Sequence, residues 1–461
     1  MATVVGAAVA VGAAGCSRPQ SHGNGHNLLL ITIETTRADH LGAYGYHRDT
    51  TPEIDRFASQ GALFEQYSSV SPRTNPSLAS LMTSRYPHEH GVRHLLVPLA
   101  PENRTLAEIL RDAGYATAAV QTHPGLTAAS GLAQGFDRYE DDTQAHFTAD
   151  AALGIVAAWL KDLAGAGKPW FVWVHLMDPH WPYYPPPGWR DRFAPEDPRP
   201  IELYRALEAK AARHGDVYFR NAMPPDEVRA FVDLYDAEIR YTDESIGALL
   251  DVLEDLGLRR NTVVAISADH GESLGEHDYY FEHGDFGTQA EIHVPLVLVA
   301  PERIPAGTRV PWTASSLDLA PTLLDLLDVS AGDAFRGRSL VGLLDPATAR
   351  DRPCFGEVDE KFHPENTRRE VEGVAGKWRW VREGRFKLMY RPRAERAPER
   401  LLYDLSTDPG ETLDVSALHP EAFRALGEKF DRWLAEDPGS DAGIEMTDEQ
   451  RERLRSLGYV D

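Results

Sequence analysis

The chain has 461 residues, 42% of them hydrophobic and 26% charged, a balance typical of a folded globular protein and unlike that of a disordered one. Its 71 acidic residues exceed the 47 basic ones by 24, which excludes a general basic field for nucleic acid or an anionic membrane surface. An anionic substrate is not excluded, because a local cation can outweigh a distant global charge.

In chain order, the first element is a run of small apolar residues from 4 to 15 that ends at Cys16. It is too short to span a bilayer. No Lys or Arg precedes it, but Ala13-Ala14-Gly15 before a cysteine has the pattern of a bacterial lipoprotein signal. The expectation is an exported, periplasmic or cell-envelope protein attached to the membrane through lipidated Cys16. Residues 17–26 then form a flexible tether, so that 1–26 is signal plus linker. With Cys16 used in this way Cys354 stands alone, and no disulfide framework is implied.

From residue 27 short apolar runs alternate with amphipathic stretches. Residues 28–33, 116–120, 170–176, 262–267 and 294–299 are unalternated apolar runs, as strands covered on both faces are. Residues 51–60, 104–113, 148–163, 225–256 and 317–327 read as helices. The alternation predicts a doubly wound α/β domain over 27–345, with a mainly parallel sheet flanked by helices. After it the character changes. Residues 378–381 and 385–390 flank Glu383-Gly384 and predict a hairpin. A further short strand at 401–404 leads into the Asp408-Pro409-Gly410 turn, and a helix is expected over 420–434. Residues 346–461 thus read as a small C-terminal subdomain of antiparallel sheet plus helix.

In open α/β sheets, sites form outside the carboxyl ends of the strands. Three of the predicted strands end in acids or imidazoles: Glu34 to His40 after the first, His175 to His180 after the third, and Asp269 to Glu272 after the fourth. Each alone has a plain structural alternative, a helix N-cap or a hydrogen-bonded histidine. Three such clusters at one sheet edge would repel or desolvate one another unless a cation lies between them. A fourth segment, Ser71 to Thr83, carries Pro76 ahead of a helical run and so puts Thr74 at or just before a helix N-terminus. Free N–H groups there suit a tetrahedral oxyanion, although Thr74 or Asn75 acting as a simple cap is the bland alternative.

These residues resemble the sulfatase family of the alkaline phosphatase superfamily. Thr36-Arg37-Ala38-Asp39-His40-Leu41-Gly42 is similar to the family's opening motif, and Pro76-Ser77-Leu78-Ala79-Ser80-Leu81-Met82-Thr83 with Arg85-Tyr86-Pro87-His88-Glu89-His90-Gly91 to its nucleophile segment. Ser267-Ala268-Asp269-His270-Gly271-Glu272 resembles the metal motif, and Asp318-Leu319-Ala320-Pro321-Thr322 and Leu402-Tyr403-Asp404-Leu405 resemble later segments. There are departures. Thr74 occupies the position of the Cys or Ser that sulfatases convert to formylglycine, and neither cysteine lies near it, so the resemblance implies no formylglycine here. Glu34-Thr35 replaces an Asp-Asp pair, Thr122-His123-Pro124 a Lys-Trp-His segment, and His283 a lysine. Glu, Thr, Asp and His in these places resemble the metal site of phosphoethanolamine transferases and lipoteichoic acid synthases, which use threonine as nucleophile.

The resemblance implies a divalent metal held by Glu34, Asp269, His270 and the Thr74 oxygen. Mixed carboxylate and imidazole suit Mn²⁺ or Zn²⁺ better than Ca²⁺. Thr74 is then the nucleophile, with His283 first and His175 next as candidates to protonate the leaving group, and His180 and the amide at Asn75 as candidates to bind the substrate's oxygens. The expected function is a metal-dependent hydrolase of sulfate or phosphate esters, phosphoester cleavage being chemically favoured. Its substrate would be a small molecule, a glycan or a lipid headgroup. The alternatives are a phosphoethanolamine- or glycerophosphate-type transferase and an inactive binding protein on the same fold.

Overall fold

The computed structural model describes residues 23–93, 95–141, 148–186, 188–193, 223–332, 335–358, 378–391 and 399–436. Cys16 and the expected signal lie outside these residues. The first strand, β1 (Asn27–Ile33), is buried at every position. It is followed in chain order by β2 (Ala62–Ser68), β3 (Ala116–Gln121), β4 (Arg138–Glu140), β5 (Trp170–Leu176) and β6 (Thr262–Ala268). Then come the short pair β7 (Ser273–Leu274) and β8 (Tyr280–Glu282), and after them β9 (Leu296–Val299) and β10 (Thr308–Ser315).

Eight of these form one sheet in the order β10-β2-β9-β6-β1-β5-β3-β4. The sheet is parallel except at β9, which runs antiparallel to both β2 and β6. The expected mainly parallel sheet is therefore present, with one reversed strand inside it. β2 and β10 were not expected. β2 carries Glu65 and Gln66 at half-buried positions, and β10 contains Pro311, which an edge strand tolerates and where its pairing with β2 shifts register.

Among the described residues, the helices longer than one turn are α1 (Pro52–Ala58), α2 (Thr74–Thr83), α3 (Leu106–Asp112), α4 (Ala149–Ala164), α5 (Pro225–Asp255), α6 (Leu319–Leu326) and α7 (Pro420–Leu434). α2, α3 and α6 cover one face of the large sheet, packing Leu78, Leu81, Leu110 and Leu323 against Leu28, Leu30, Phe171 and Trp173. α1, α4 and α5 cover the other, with Phe57, Val156, Ile246 and Leu250 against Leu29, Ile31, Val172 and Val264. Because side chains alternate along a strand, each strand feeds both layers, which is why its sequence reads as continuously apolar.

A second sheet follows: β11 (Cys354–Val358), β12 (Trp378–Glu383), β13 (Phe386–Arg391) and β14 (Glu399–Asp404), antiparallel throughout. The hairpin expected around Glu383-Gly384 is present, with Glu383 opposite Phe386. One face packs Val381, Leu388 and Leu402 under Leu426, Phe430 and Trp433 of α7. The other packs Trp378, Trp380, Met389 and Tyr403 against Ile292 of the main domain.

Candidate active site

β1 lies in the middle of the large sheet, between β5 and β6, so its carboxyl end meets theirs. The chain turns sharply there. Thr35 has φ 47, a left-handed conformation unusual for a β-branched residue. Three hydrogen bonds hold it: its N–H donates to Asp269 Oδ1 (3.2 Å), its hydroxyl to the Pro179 carbonyl (3.3 Å), and its own carbonyl accepts from the Tyr235 hydroxyl (2.7 Å). This turn directs Glu34 into the space above the sheet, where it is fully buried.

Glu34 is the hub. Oε2 accepts from Nε2 of His175 at 2.6 Å, while His175 Nδ1 meets the Thr32 hydroxyl at 2.9 Å. Both ring nitrogens of His175 are thus engaged, and the residue sits behind Glu34. Oε1 of Glu34 accepts the Thr74 hydroxyl at 2.6 Å, and the same hydroxyl lies 3.3 Å from His270 Nε2. Thr74 is the first residue of α2. Arg73 occupies the N-cap without a side-chain capping bond, so the Thr74 hydroxyl is turned to Glu34 and does not cap the helix. Asn75 lies one residue further, its amide donating to the carbonyls of Leu95 (3.1 Å) and Val97 (2.8 Å).

Nδ1 of His270 is committed to the Gly271 carbonyl at 2.9 Å, so the neutral ring turns an Nε2 lone pair toward the acids. It meets Glu34 Oε1 and Asp269 Oδ2, each at 3.2 Å. Asp269 Oδ2 is buried with no hydrogen-bond partner. Three electron-rich atoms facing one another require a proton or a cation between them. The titration directions say the same of the proton. Burial, then the charge of Glu34, pushes Asp269 up to about 7. Burial opposes a charged His270, but Asp269 and Glu34 together raise it to about 9. Burial also pushes the Glu34 carboxyl up, and hydrogen bonds from His175 and His270 overcome that and hold it well below the usual carboxylate range. Donor atoms of Glu34, Asp269 and His270 all lie within 4.8 Å of one another. Their type, convergence and the orphaned Oδ2 fit a divalent cation.

Glu34 also converges with His123 and His180. Nδ1 of His123 accepts from the Gly125 N–H at 2.9 Å, which places the proton on Nε2, and that atom is buried without a partner. Such a donor suits an anionic oxygen, not a cation. His180 donates through Nδ1 to the Trp181 carbonyl. The His283 ring stands 4.3 Å from that of His270 and 5.2 Å from that of His180, with Nδ1 3.1 Å from Glu272 Oε1. Tyr183 donates to the other oxygen of Glu272. Thr74, Glu34, Asp269, His270, His175, His180 and His283 are therefore brought together from four separate strand ends and one helix.

His123 and Glu272 carry weight that sequence reading did not give them. His123 sits two residues past β3, a strand end like the others, in the segment that stands where the resembled family has Lys-Trp-His. Glu272 belongs to the Asp269 cluster, but its tie to His283 depends on a loop that returns eleven residues later and its tie to Tyr183 on a segment 89 residues earlier. Arg37 is bonded bidentately to Asp39 and also to Glu276, which orders the first loop away from the centre.

A family model described as Sulfatase matches residues 26–329, well over half of the chain. The chain belongs to the sulfatase family. As a member of it, this protein is an ester hydrolase by class. A second model, described as N-sulphoglucosamine sulphohydrolase, C-terminal, matches residues 275–433. Among curated proteins, this sulfatase-family member is 26% identical to an ulvan-active sulfatase of Formosa agariphila over 70% of its own length and 66% of that protein. It is also 26% identical to the N-acetylgalactosamine-6-sulfatase of Canis lupus familiaris, over 76% of its length and 70% of the relative. The fold is shared with a protein solved in complex with its substrate D-glucosamine-2-N,6-O-disulfate: TM-score 0.74, 19% identity, 90% of this chain and 99% of the other. It is shared too with the phosphonate monoester hydrolase of Agrobacterium radiobacter: TM-score 0.70, 22% identity, 92% and 99%.

Proposed function

We propose that this sulfatase-family enzyme hydrolyses phosphate or sulfate esters with the Thr74 hydroxyl as nucleophile, phosphoesters being the favoured class. The observation that carries the reading is the Thr74 oxygen, held 2.6 Å from Glu34 Oε1 at the start of α2. A divalent cation, Mn²⁺ or Zn²⁺ in preference to Ca²⁺, held by Glu34, Asp269, His270 and the Thr74 oxygen, supplies the positive charge that makes the hydroxyl acidic enough to react.

Glu34 orients the Thr74 oxygen, and His175 fixes Glu34 from behind, which makes His175 a positioning residue in this scheme. The oxygen gives its proton to Glu34 Oε1 as it attacks phosphorus or sulfur, its bond to the central atom forms, and the bond to the leaving oxygen breaks. His283, steadied through Nδ1 by Glu272, gives the leaving oxygen its proton. Nε2 of His123 and the N–H groups opening α2 at Thr74 and Asn75 face the remaining oxygens, where charge accumulates. His180, whose ring proton goes through Nδ1 to the Trp181 carbonyl, has no Nε2 proton to give and is not one of these donors. Water then attacks the threonyl ester, giving a proton to His283, and the Thr74 oxygen leaves with the proton held by Glu34. A threonyl ester has no second hydroxyl on its carbon with which to expel the bound group, so water must reach the central atom itself. Phosphorus accepts such attack more readily than sulfur, and on this rests the preference for phosphoesters. The relatives named for sulfated glycans support a sugar ester as the substrate class.

The test is turnover of an aryl sulfate, a phosphate monoester, a phosphate diester and a phosphonate ester with added Mn²⁺ or Zn²⁺, beside Thr74→Ala. Product should appear in water alone, and full activity in Thr74→Ala would sink the nucleophile assignment. Product formed only when an alcohol is added would favour the transferase, which shares the Glu, Thr, Asp and His set. No turnover of any ester would favour the binding-protein reading.

A further inference from the structure

A cavity of about 650 Å³ lies at the seam between the β2–β10 edge of the large sheet and the β12–β13 turn of the second. Gln66, Gln289, Trp312, Arg382 and Arg385 are among its walls, and none of Glu34, Thr74, Asp269, His270 or His283 reaches it. Its most telling member is Arg382, only 4% exposed. Three of its nitrogens find oxygens, and all three are neutral: Nε donates to the Gly384 carbonyl (3.3 Å), Nη1 to Gln289 Oε1 (3.1 Å), and Nη2 to Gln66 Oε1. Among the described residues no carboxylate forms an ion pair with it. The neighbouring guanidinium groups differ: Arg37 pairs with Asp39 and Glu276, and Arg385 with Asp404.

A buried charge without a counterion is strongly unfavourable, and neutral dipoles compensate it only in part. Burial pushes the Arg382 pKa down and outweighs the attraction of Glu411 and Asp351, which line the same cavity but form no ion pair with it. A second group points the same way. Gln289 gives its oxygen to Arg382, which fixes the amide's orientation, and its Nε2 is then buried with no partner. A guanidinium and an amide side by side, both short of an acceptor, call for one anionic oxygen group. A lone inorganic anion would fill only a small part of the cavity, which is in the size range of organic ligand sites. The half-buried indole of Trp312 offers a flat apolar wall of the kind that packs against a pyranose ring.

We propose that this cavity is a non-catalytic binding site for an anionic sugar, with its carboxylate or sulfate on Arg382 and Gln289 and its ring against Trp312. The site is separate from the Thr74 centre and stands whether or not Thr74 is the nucleophile.

The experiment is calorimetric titration of D-glucuronate, D-glucose 6-sulfate, D-glucose and inorganic sulfate into the full chain carrying Thr74→Ala, so that turnover cannot contribute heat. Both anionic sugars should bind and quench tryptophan fluorescence, with D-glucose and inorganic sulfate each at least tenfold weaker. Arg382→Gln, which keeps polar contacts to its neighbours, should weaken the anionic sugars by about tenfold or more, as loss of a charge-assisted pair does. Gln289→Ala and Trp312→Ala leave the guanidinium in place and should each weaken them as well, so the proposal stays testable if Arg382→Gln does not fold. In the Thr74 protein, turnover of a small ester should be unchanged by Gln289→Ala. Absence of saturable sugar binding, an unchanged affinity in all three variants, or inorganic sulfate binding as tightly as the sugars would each overturn it.

Discussion

The Thr74 oxygen is held by contacts that a smaller side chain keeps and an apolar one loses. Thr74→Ser retains an oxygen within reach of Glu34 but frees χ1, since the γ-methyl no longer restricts it. We expect Thr74→Ser to keep measurable turnover, lowered by about ten- to a hundredfold in kcat, and Thr74→Ala to lose about a thousandfold or more, both with unaltered circular dichroism. Glu272 is a second residue with a definite expectation. It is fully buried, burial pushes its carboxyl up to about 8, and it links the Tyr183 hydroxyl to His283 Nδ1. Glu272→Gln keeps the shape and removes the ability to hold or release the shared proton. The expected result is a fall of about ten- to a hundredfold in kcat with KM little changed and a displaced limb of the kcat–pH profile. An unaltered profile would show that Glu272 serves only packing. At this scale much was legible: Glu34, Thr74, Asp269 and His270 stand at strand ends or a helix start. The left-handed turn at Thr35 that aims Glu34 was not, because a Thr-Thr pair carries no turn signal.

Among the elements, α2 matters most, because its first residue is the candidate nucleophile. Its far side is tied down by His90, whose Nε2 meets the Ser80 hydroxyl at 2.9 Å and whose Nδ1 accepts the Val92 N–H at 3.1 Å. The Val92 bond requires the neutral ring, because a protonated Nδ1 cannot accept. Burial is the main cause that lowers the His90 pKa to about 3. In the unfolded chain histidine titrates near ~6.5, so on acidification the unfolded state takes up this proton first. The stabilisation is therefore present above about pH 6.5 and is lost as the pH falls from there toward about 3. His90→Gln, compared with the parent by urea unfolding, should lose less stability between pH 7 and pH 4 than the parent does. Equal slopes would disprove it. The helices were legible almost to the residue, since α4, α5 and α7 keep a 3.6-residue apolar period and Pro opens both α5 and α7. β2 and β10 escaped because a polar pair and a proline interrupt them where they lie near the sheet edge.

Over the whole molecule, two couplings can be measured. The candidate metal ligands come from β1, α2 and the end of β6, so a bound cation ties together segments more than two hundred residues apart. Removal by a chelator should abolish turnover and lower the Tm in a scan, and Mn²⁺ or Zn²⁺ should restore both better than Ca²⁺. An unchanged Tm and full activity in a metal-free sample would dismiss the centre. The second coupling is between the sheets. Trp380 is 1% exposed, and a Cβ placed on Gly287 or Gly356 would come within 2.2 or 2.1 Å of its ring. Those glycines make room for the indole at the interface with Ile292. Trp380→Ala should cost about 3–5 kcal/mol of unfolding free energy, read from urea denaturation. We propose export with attachment through lipidated Cys16; Cys16→Ser should then release the protein from the membrane fraction.

The order of the fully buried strands and of the helices, the change of character before the second sheet, and the identity of the acids and imidazoles at strand ends were determined by the sequence alone, because burial period and turn chemistry are local properties. Which of those side chains meet was decided by tertiary structure. The sheet order sets β6, β1, β5 and β3 side by side, so Asp269, Glu34, His175 and His123 share one edge although the chain visits them far apart. The same packing puts His175 behind Glu34, brings His283 to Glu272, and closes the seam in which Arg382 meets only neutral oxygens. No local pattern encodes such meetings, since each depends on how distant segments stack and on the rotamers that their packing allows.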